Sequence, residues 1–244
     1  MLEGLFSTAA GLSAQQLQLD AIGNDLANVN TDGYKSERVA FQDLLYGDVK
    51  IAGTDTTTGA GAASQVIGRS SAQGALRETG DPLDVAIEGD GFIQVALPGG
   101  GVALTRDGGL SADATGTVVT AGGNRLVPPI KLPRGVSASQ LGIAADGTVT
   151  AGTRVLGRIK LVTVVSPGHL QPVGGSLLAP TAQSGAPRAA TGARLHQGAL
   201  EQSNVDLGSE MTALVTTQRN FQMNSEALQD ESQMMSIANQ LRPA

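Results

Sequence analysis

The chain has no cysteine and no tryptophan, and only two tyrosines and four phenylalanines among its 244 residues. Without cysteine there is neither a disulfide nor a thiolate metal site. So few rings exclude a large core built around aromatics. The 16 lysines and arginines form no block, and the net charge is -6, which excludes a surface that tracks nucleic-acid phosphates. No apolar run approaches the ~20 residues of a membrane-spanning helix. The opening MLEGLFSTAAGLSAQQLQ places Glu3 where a signal peptide carries positive charge and interrupts its own apolar residues. Export, if it occurs, is expected to proceed without a cleaved signal.

Catalytic patterns are missing as well. His169 and His196 stand 27 residues apart in loop-like sequence with no nearby acidic partner, so neither a general base nor a metal site is expected. There is no serine-centred nucleophile motif and no glycine-rich loop leading into GK[ST]. Asp81, Asp84, Glu88 and Asp90 lack the ligand spacing of a calcium loop and read as strand-edge turns. No cofactor and no metal are expected, and the reading is non-enzymatic.

What is present divides into two helical ends and a glycine-rich middle. Leu5, Leu12, Leu19 and Leu26 recur every seven residues, with Ile22 and Val29 three beyond the last two. This predicts an amphipathic helix over roughly residues 3–29 with a coiled-coil type of seam. Asn24 and Asn28 fall four apart on it, and Asn30 leads the stop signal Asn30-Thr31-Asp32-Gly33. Val39-Ala40-Phe41 and Leu44-Leu45-Tyr46 are expected to pack back as a loop or a further helical turn. At the other end Leu207, Leu214, Phe221, Leu228 and Met235 repeat every seven residues, flanked by Ala213, Ala227, Met234 and Leu241. Asp206 or Ser203 would cap this last helix of about 35 residues, near 55 Å at about 1.5 Å per residue. Between the ends, most of the 33 glycines punctuate short β-branched runs such as LDVAI, FIQVAL and GRIKLVTVV. Residues 53–64 and 179–193 read as extended or flexible connections. The expected fold is mixed: long N- and C-terminal helices packing as a coiled-coil-like core, with an inserted all-β domain. The expected divisions are an N-terminal helix and turn over 1–46, a connecting segment over 47–75, the β domain over 76–200 and the C-terminal helix over 201–244.

Three stretches carry a family resemblance. AIGNDLANVNTDGYKSERVAFQDLLY at residues 21–46, LRETGDPLDVAIEGDGFIQVALPGG at 76–100 with LTRDGGLSADATGTVVTAGGNRL after it, and GALEQSNVDLGSEMTALVTTQRNFQMNSEAL at 198–228 occur in order. Together they resemble the rod and hook family of bacterial flagellar axial proteins. Gly91-Phe92-Ile93 stands where that family usually has GFF, and Leu104-Thr105-Arg106-Asp107-Gly108-Gly109-Leu110 where it has YTRDGxF. Length favours a rod member over a hook protein. PPIKLPRGVSASQLGIAADGTVT, QSGAP and residues 47–75 resemble the distal-rod members more than the proximal ones.

The resemblance implies a structural subunit that polymerises into a hollow helical shaft across the periplasm and transmits torque from motor to hook. It implies type III export and no membrane embedding. The implied partners are further copies of the chain, the adjoining proximal rod and hook proteins and the rings around the rod, with no nucleic acid. The residues expected to carry assembly are Leu12, Leu19, Leu26, Asn24, Asn28 and Asn30 of the first helical segment, and Leu207, Leu214, Phe221 and Leu228 of the last. A proximal-rod or hook-type subunit, or a non-flagellar oligomeric binding module, is the alternative.

Overall fold

Leu2–Ala27 forms the first helix, α1, and Leu207–Gln240 the last, α2. The computed structural model describes residues 2–43, 46–51, 54–59, 62–133, 135 and 140–240. It divides into two compact units, one of Met1–Ala27, Glu37–Ile67 and Asp206–Ala244, the other of Asn28–Ser36 and Gly68–Val205.

In the first unit α1 packs against α2 and against the strand Glu37–Asp43. Asp206 caps α2: its carboxylate accepts the Ser209 hydroxyl at 2.6 Å and the Gly208 N–H at 3.2 Å. The Gly208 bond satisfies a backbone donor that a helix start leaves open, and the Ser209 bond together with it holds the Asp206 carboxyl below its ordinary range. Along α2 the less exposed positions are Glu210, Ala213, Leu214, Thr217, Phe221, Asn224, Ser225, Leu228 and Glu231. This is the 3-and-4 spacing of a single face. Leucine and phenylalanine alternate on it with polar residues, and Thr217 is buried. Of the expected flanking stripe, Ala213 is half-buried while Ala227 and Met234 are exposed. Leu241 and the Met235 side chain lie outside the described residues.

The segment after α1 differs from expectation. Residues 37–43 are a strand paired with Ala62–Arg69, not a loop or helical turn. Alternating Val39 and Phe41 suit a pleated edge once a partner strand is available. Leu44 and Leu45 lie outside the described residues. Tyr46–Ile51 and Thr54–Gly59 form an antiparallel hairpin, with Tyr46 opposite Gly59 and Ile51 opposite Thr54. The threonine-rich stretch read as a connection is therefore extended and paired.

The second unit is built of short strands. Its central sheet runs, in spatial order, Gln171–Gly174, Leu177–Ala179, Val102–Thr105, Phe92–Ala96, Arg125–Leu126, Val118–Thr120 and Leu110–Ala112; Leu161–Thr163 also pairs Phe92–Ala96 and carries Arg188–Ala189. Strand periodicity sends Ile93, Val95 and Ala103 to one cluster of buried side chains, and Phe92 and Leu104 to another. The sheet is thus covered on both faces with few rings. Ile93 and Leu104 are essentially inaccessible to solvent, and each contributes about 1.5–3 kcal/mol by burial. A meander of Leu141–Ile143, Thr148–Ala151 and Arg154–Arg158 adds Leu141, Ile143 and Val149 to the larger cluster. Its first turn is set by Asp146, whose carboxylate accepts the Thr148 N–H at 3.0 Å. Residues 179–193 include a turn with a fully buried Ser184 and the strand Arg188–Ala189, so this stretch too is organised.

Gly108 shows how tightly the strands meet. Its carbonyl accepts the Val85 N–H at 3.1 Å, and a methyl group on Gly108 would overlap the Val85 carbonyl. Gly108→Ala is expected to cost about 2–3 kcal/mol of β-unit stability in urea denaturation. Gly99→Ala, where the added carbon meets nothing within 4 Å, is expected to change stability by less than about 0.5 kcal/mol.

Candidate assembly elements

The asparagine-rich end of α1 is a junction made within the chain. The helix stops at Ala27, so Asn28 lies in the following turn and not on one helical face with Asn24. Asn24 donates to the Glu37 carboxylate at 3.2 Å, and Asn28 accepts the Thr31 hydroxyl at 3.1 Å. Asn30 is exposed. Asp25, buried on α1, accepts the Glu37 N–H at 3.0 Å, and the Ala14 carbonyl accepts the Ser64 hydroxyl at 3.3 Å.

The TDGYK turn is held inside the β unit. Gly33 adopts a φ of 71°, donates to the Glu201 carbonyl at 2.7 Å, and lies so close to the Arg106–Asp107 peptide that no side chain fits there. Tyr34 is buried, with the Arg69 guanidinium 5.2 Å from its ring centre. The Lys35 Nζ meets the Glu201 Oε1 at 2.6 Å and the Ala72 carbonyl at 2.6 Å. From the other side the Arg106 Nη1 reaches the Glu201 Oε2 at 2.8 Å. The Gly74 N–H completes the shell of the Glu201 carboxylate at 2.9 Å. The Glu201 side chain is wholly inaccessible to solvent. Burial pulls the Lys35 ammonium below its usual range, and the Glu201 carboxylate opposes that pull. Asn204 adds two bonds, accepting the Ser36 N–H at 2.8 Å and donating to the Ala72 carbonyl at 3.0 Å. Sequence reading missed this cluster because Lys35, Arg106 and Glu201 are scattered over 166 positions. Each nevertheless sits within one of the three quoted stretches.

The residues assigned to assembly fall in different surroundings. Leu12, Leu19 and Leu26 are half-buried, while the most buried residues of α1 are Ala14, Ala21, Ile22 and Asp25. Leu214, Phe221 and Leu228 are half-buried and Leu207 is exposed. Glu210, near the start of α2, has its carboxyl raised by burial and by the charges of Asp25 and Asp206. Gln18 lines a groove with Thr212, Thr216 and Asn220. The start of α2 thus lies by the end of α1, and the helices run antiparallel. A second face of α2 carries Met211, Val215, Met223, Met234 and Ile237, all exposed.

No three His, Asp or Glu among the described residues are grouped to hold a metal ion. No helix among them is long and apolar enough to cross a membrane. His196 does have an acidic partner, contrary to the sequence reading: its Nε2 lies 2.7 Å from the Glu88 Oε2. Pairing of Arg194–Gln197 with Val85–Glu88 brings the two together across 108 positions. Both side chains are exposed, and the pair lies on a strand surface.

Two outcomes follow from these charges. Glu201→Ala leaves Lys35 and Arg106 buried without their anion, and is expected to cost about 3–5 kcal/mol in urea denaturation of the β unit. The folded state binds the Glu210 proton more tightly than the unfolded chain, so its contribution is intact below the ordinary glutamate range. It is lost as pH rises through the raised folded value. Glu210→Gln is therefore expected to raise the melting temperature of the helix pair at neutral pH, followed by helical circular dichroism, with the difference vanishing in acid.

Comparison with known proteins agrees with this architecture. Residues 7–35 match the family described as flagella basal body rod protein, residues 86–151 the flagellar hook protein FlgE/F/G D1 domain, and residues 196–241 the flagellar basal body rod FlgEFG protein C-terminal family. The flagellar basal-body rod protein FlgG of Borreliella burgdorferi is 35% identical over 99% of this chain and 99% of its own length. That of Caulobacter vibrioides is 35% identical over 99% of this chain and 100% of its own. The rod protein FlgF of Mesorhizobium japonicum is 31% identical over 93% of this chain and 92% of its own. Likeness along the whole length, on a chain with helical ends and a β unit, leaves one assignment: the chain belongs to the flagellar basal-body rod proteins, as a structural axial subunit of the FlgG type and not an enzyme.

Proposed function

We infer that the subunit polymerises as the distal part of the rod, in a hollow helical shaft that crosses the periplasm and passes torque from motor to hook. The observation that carries this reading is a set of exposed apolar side chains on the outward side of α2, set among Arg219, Gln222, Glu226, Asp230 and Gln233. Met211, Val215, Met223, Met234 and Ile237 are between 45% and 61% exposed on an isolated chain. Large apolar side chains left this exposed are unfavourable in water, and a helix of a neighbouring copy would cover them while its own polar groups meet the intervening polar residues. Leu214, Phe221 and Leu228 then serve the pairing of α1 with α2, and Leu12, Leu19 and Leu26 the flank of α1, in a coiled-coil-like inner layer. Asn24, Asn28 and Asn30 form the joint at the end of α1. Distal placement rests on the likeness to FlgG over nearly the whole length of both chains. The partners in this reading are further copies, the proximal rod and hook proteins and the rings around the rod, reached after type III export. The four segments 1–46, 47–75, 76–200 and 201–244 are the functional divisions we assign.

Met223→Asp with Met234→Asp is expected to abolish polymerisation while leaving the helix content of the free subunit unchanged. Leu214→Asp with Leu228→Asp should also stop polymerisation, and in addition loosen the helix pair while the β unit stays folded. Electron microscopy of assembled material is the test. Normal filaments from the methionine double variant would overturn the reading.

A further inference from the structure

The β unit carries a groove of about 800 Å³ that its structural role leaves without an occupant. Four of the chain's 16 basic side chains line it, Arg158, Lys160, Arg188 and Arg194, against the single carboxylate of Asp146. All four are exposed. Arg158 is partly engaged: its Nε donates to the Asp146 carbonyl at 2.8 Å, and its Nη2 stands 3.8 Å from the Asp146 carboxylate. Lys160, Arg188 and Arg194 make no ion pair with any described residue. In a chain of net charge -6, such a gathering of unpaired cations is a local positive field on an acidic molecule, and it selects for anions.

The shape of the groove narrows the choice of anion. Its lining also includes the apolar residues Leu161, Val162 and Ala193. The strand Arg188–Ala189 is part of the lining, and it pairs with Leu161–Thr163 and with no other strand among the described residues. In that register Ala189 faces Val162, Arg188 faces Thr163, and the Ala190 N–H reaches the Leu161 carbonyl at 3.0 Å. Bonded pairs alternate with non-bonded ones in an antiparallel ladder, so Ala189 turns its N–H and C=O to the open edge. No aromatic side chain lines the groove, and a base would find no ring on which to stack. An extended peptide can use the open backbone groups of the edge and the exposed cations beside it.

We propose that this groove docks an extended acidic segment of a partner protein, its backbone added to the Ala189 edge and its carboxylates facing Lys160, Arg188 and Arg194. Charge complementarity at the rim sets the association rate and its dependence on salt, and the strand edge sets register.

The test titrates the full-length subunit into a fluorescein-labelled peptide of alternating glutamate and valine, followed by fluorescence anisotropy. Saturable binding that weakens as salt is raised is expected. Arg188→Glu and Arg194→Glu, and Lys160→Glu as a third variant should either misfold, are expected to weaken it by about tenfold or more. Lys131→Glu, an exposed cation outside the groove, is expected to leave it unchanged. A peptide methylated on alternate backbone nitrogens is expected to bind about tenfold more weakly, since it cannot complete the strand ladder. Equal affinity in wild type and the groove variants, equal affinity of the methylated peptide, or binding of a polyuronate in place of the peptide would each overturn the proposal.

Discussion

The neutralisation of a buried carboxylate by two buried cations organises the β unit. Glu201 is the only anion in contact with both Lys35 and Arg106 among the described residues, and each of the three comes from a different part of the chain. Removing charges from water costs several kcal/mol per ion unless hydrogen bonds and opposite charge replace the solvent. Here that replacement is dense, with backbone groups at Ala72, Gly74 and Gly89 filling the remaining positions. Such a cluster contributes less to net stability than to uniqueness. Any other register of the strand Ala199–Glu201, or any other path for the TDGYK turn, would strand a charge in the interior. The neighbouring backbone contacts of Gly33 and Asn204 depend on the same placement.

Local signals were legible because their causes are local. The helix stop at Asn30-Thr31-Asp32-Gly33, the cap at Asp206 and the length of α2 depend on residues only a few positions apart. Pairing across long separations was not legible. The strand Glu37–Asp43 needs Ala62–Arg69 beside it to exist, and nothing in Val39-Ala40-Phe41 announces that partner. For the same reason His196 looked solitary until the ladder placed it across from Glu88. The leucine repeat of α1 was read as its seam, yet Ala14, Ala21 and Asp25 are more deeply buried. Two elements press on α1, a helix and a strand pair, and small residues allow the closer approach. A heptad count assumes one partner.

The helix pair shows why its face is only half committed. Polar Thr217, Asn224, Glu210 and Glu231 alternate with leucine and phenylalanine on the less exposed side of α2. Such a face holds two helices together weakly compared with an all-leucine seam, because each polar position forgoes apolar contact. With Met211, Val215, Met223, Met234 and Ile237 exposed among the polar residues of the opposite side, α2 is suited to contact on more than one flank, as a subunit surrounded by copies of itself requires.

The positions of Lys35, Arg106 and Glu201 also fix when the β unit can close. A chain emerging from a narrow conduit presents its residues in order, and the cluster needs both the turn at 31–35 and the strand Ala199–Glu201. Whichever end leads, most of the polypeptide must be out before the last charge finds its counterpart. Until then the segment already released has no compensated site for the ions it must bury. In the export proposed above, the separation of three charged residues along the sequence would act as a clock that delays closure of the β unit until delivery is nearly complete.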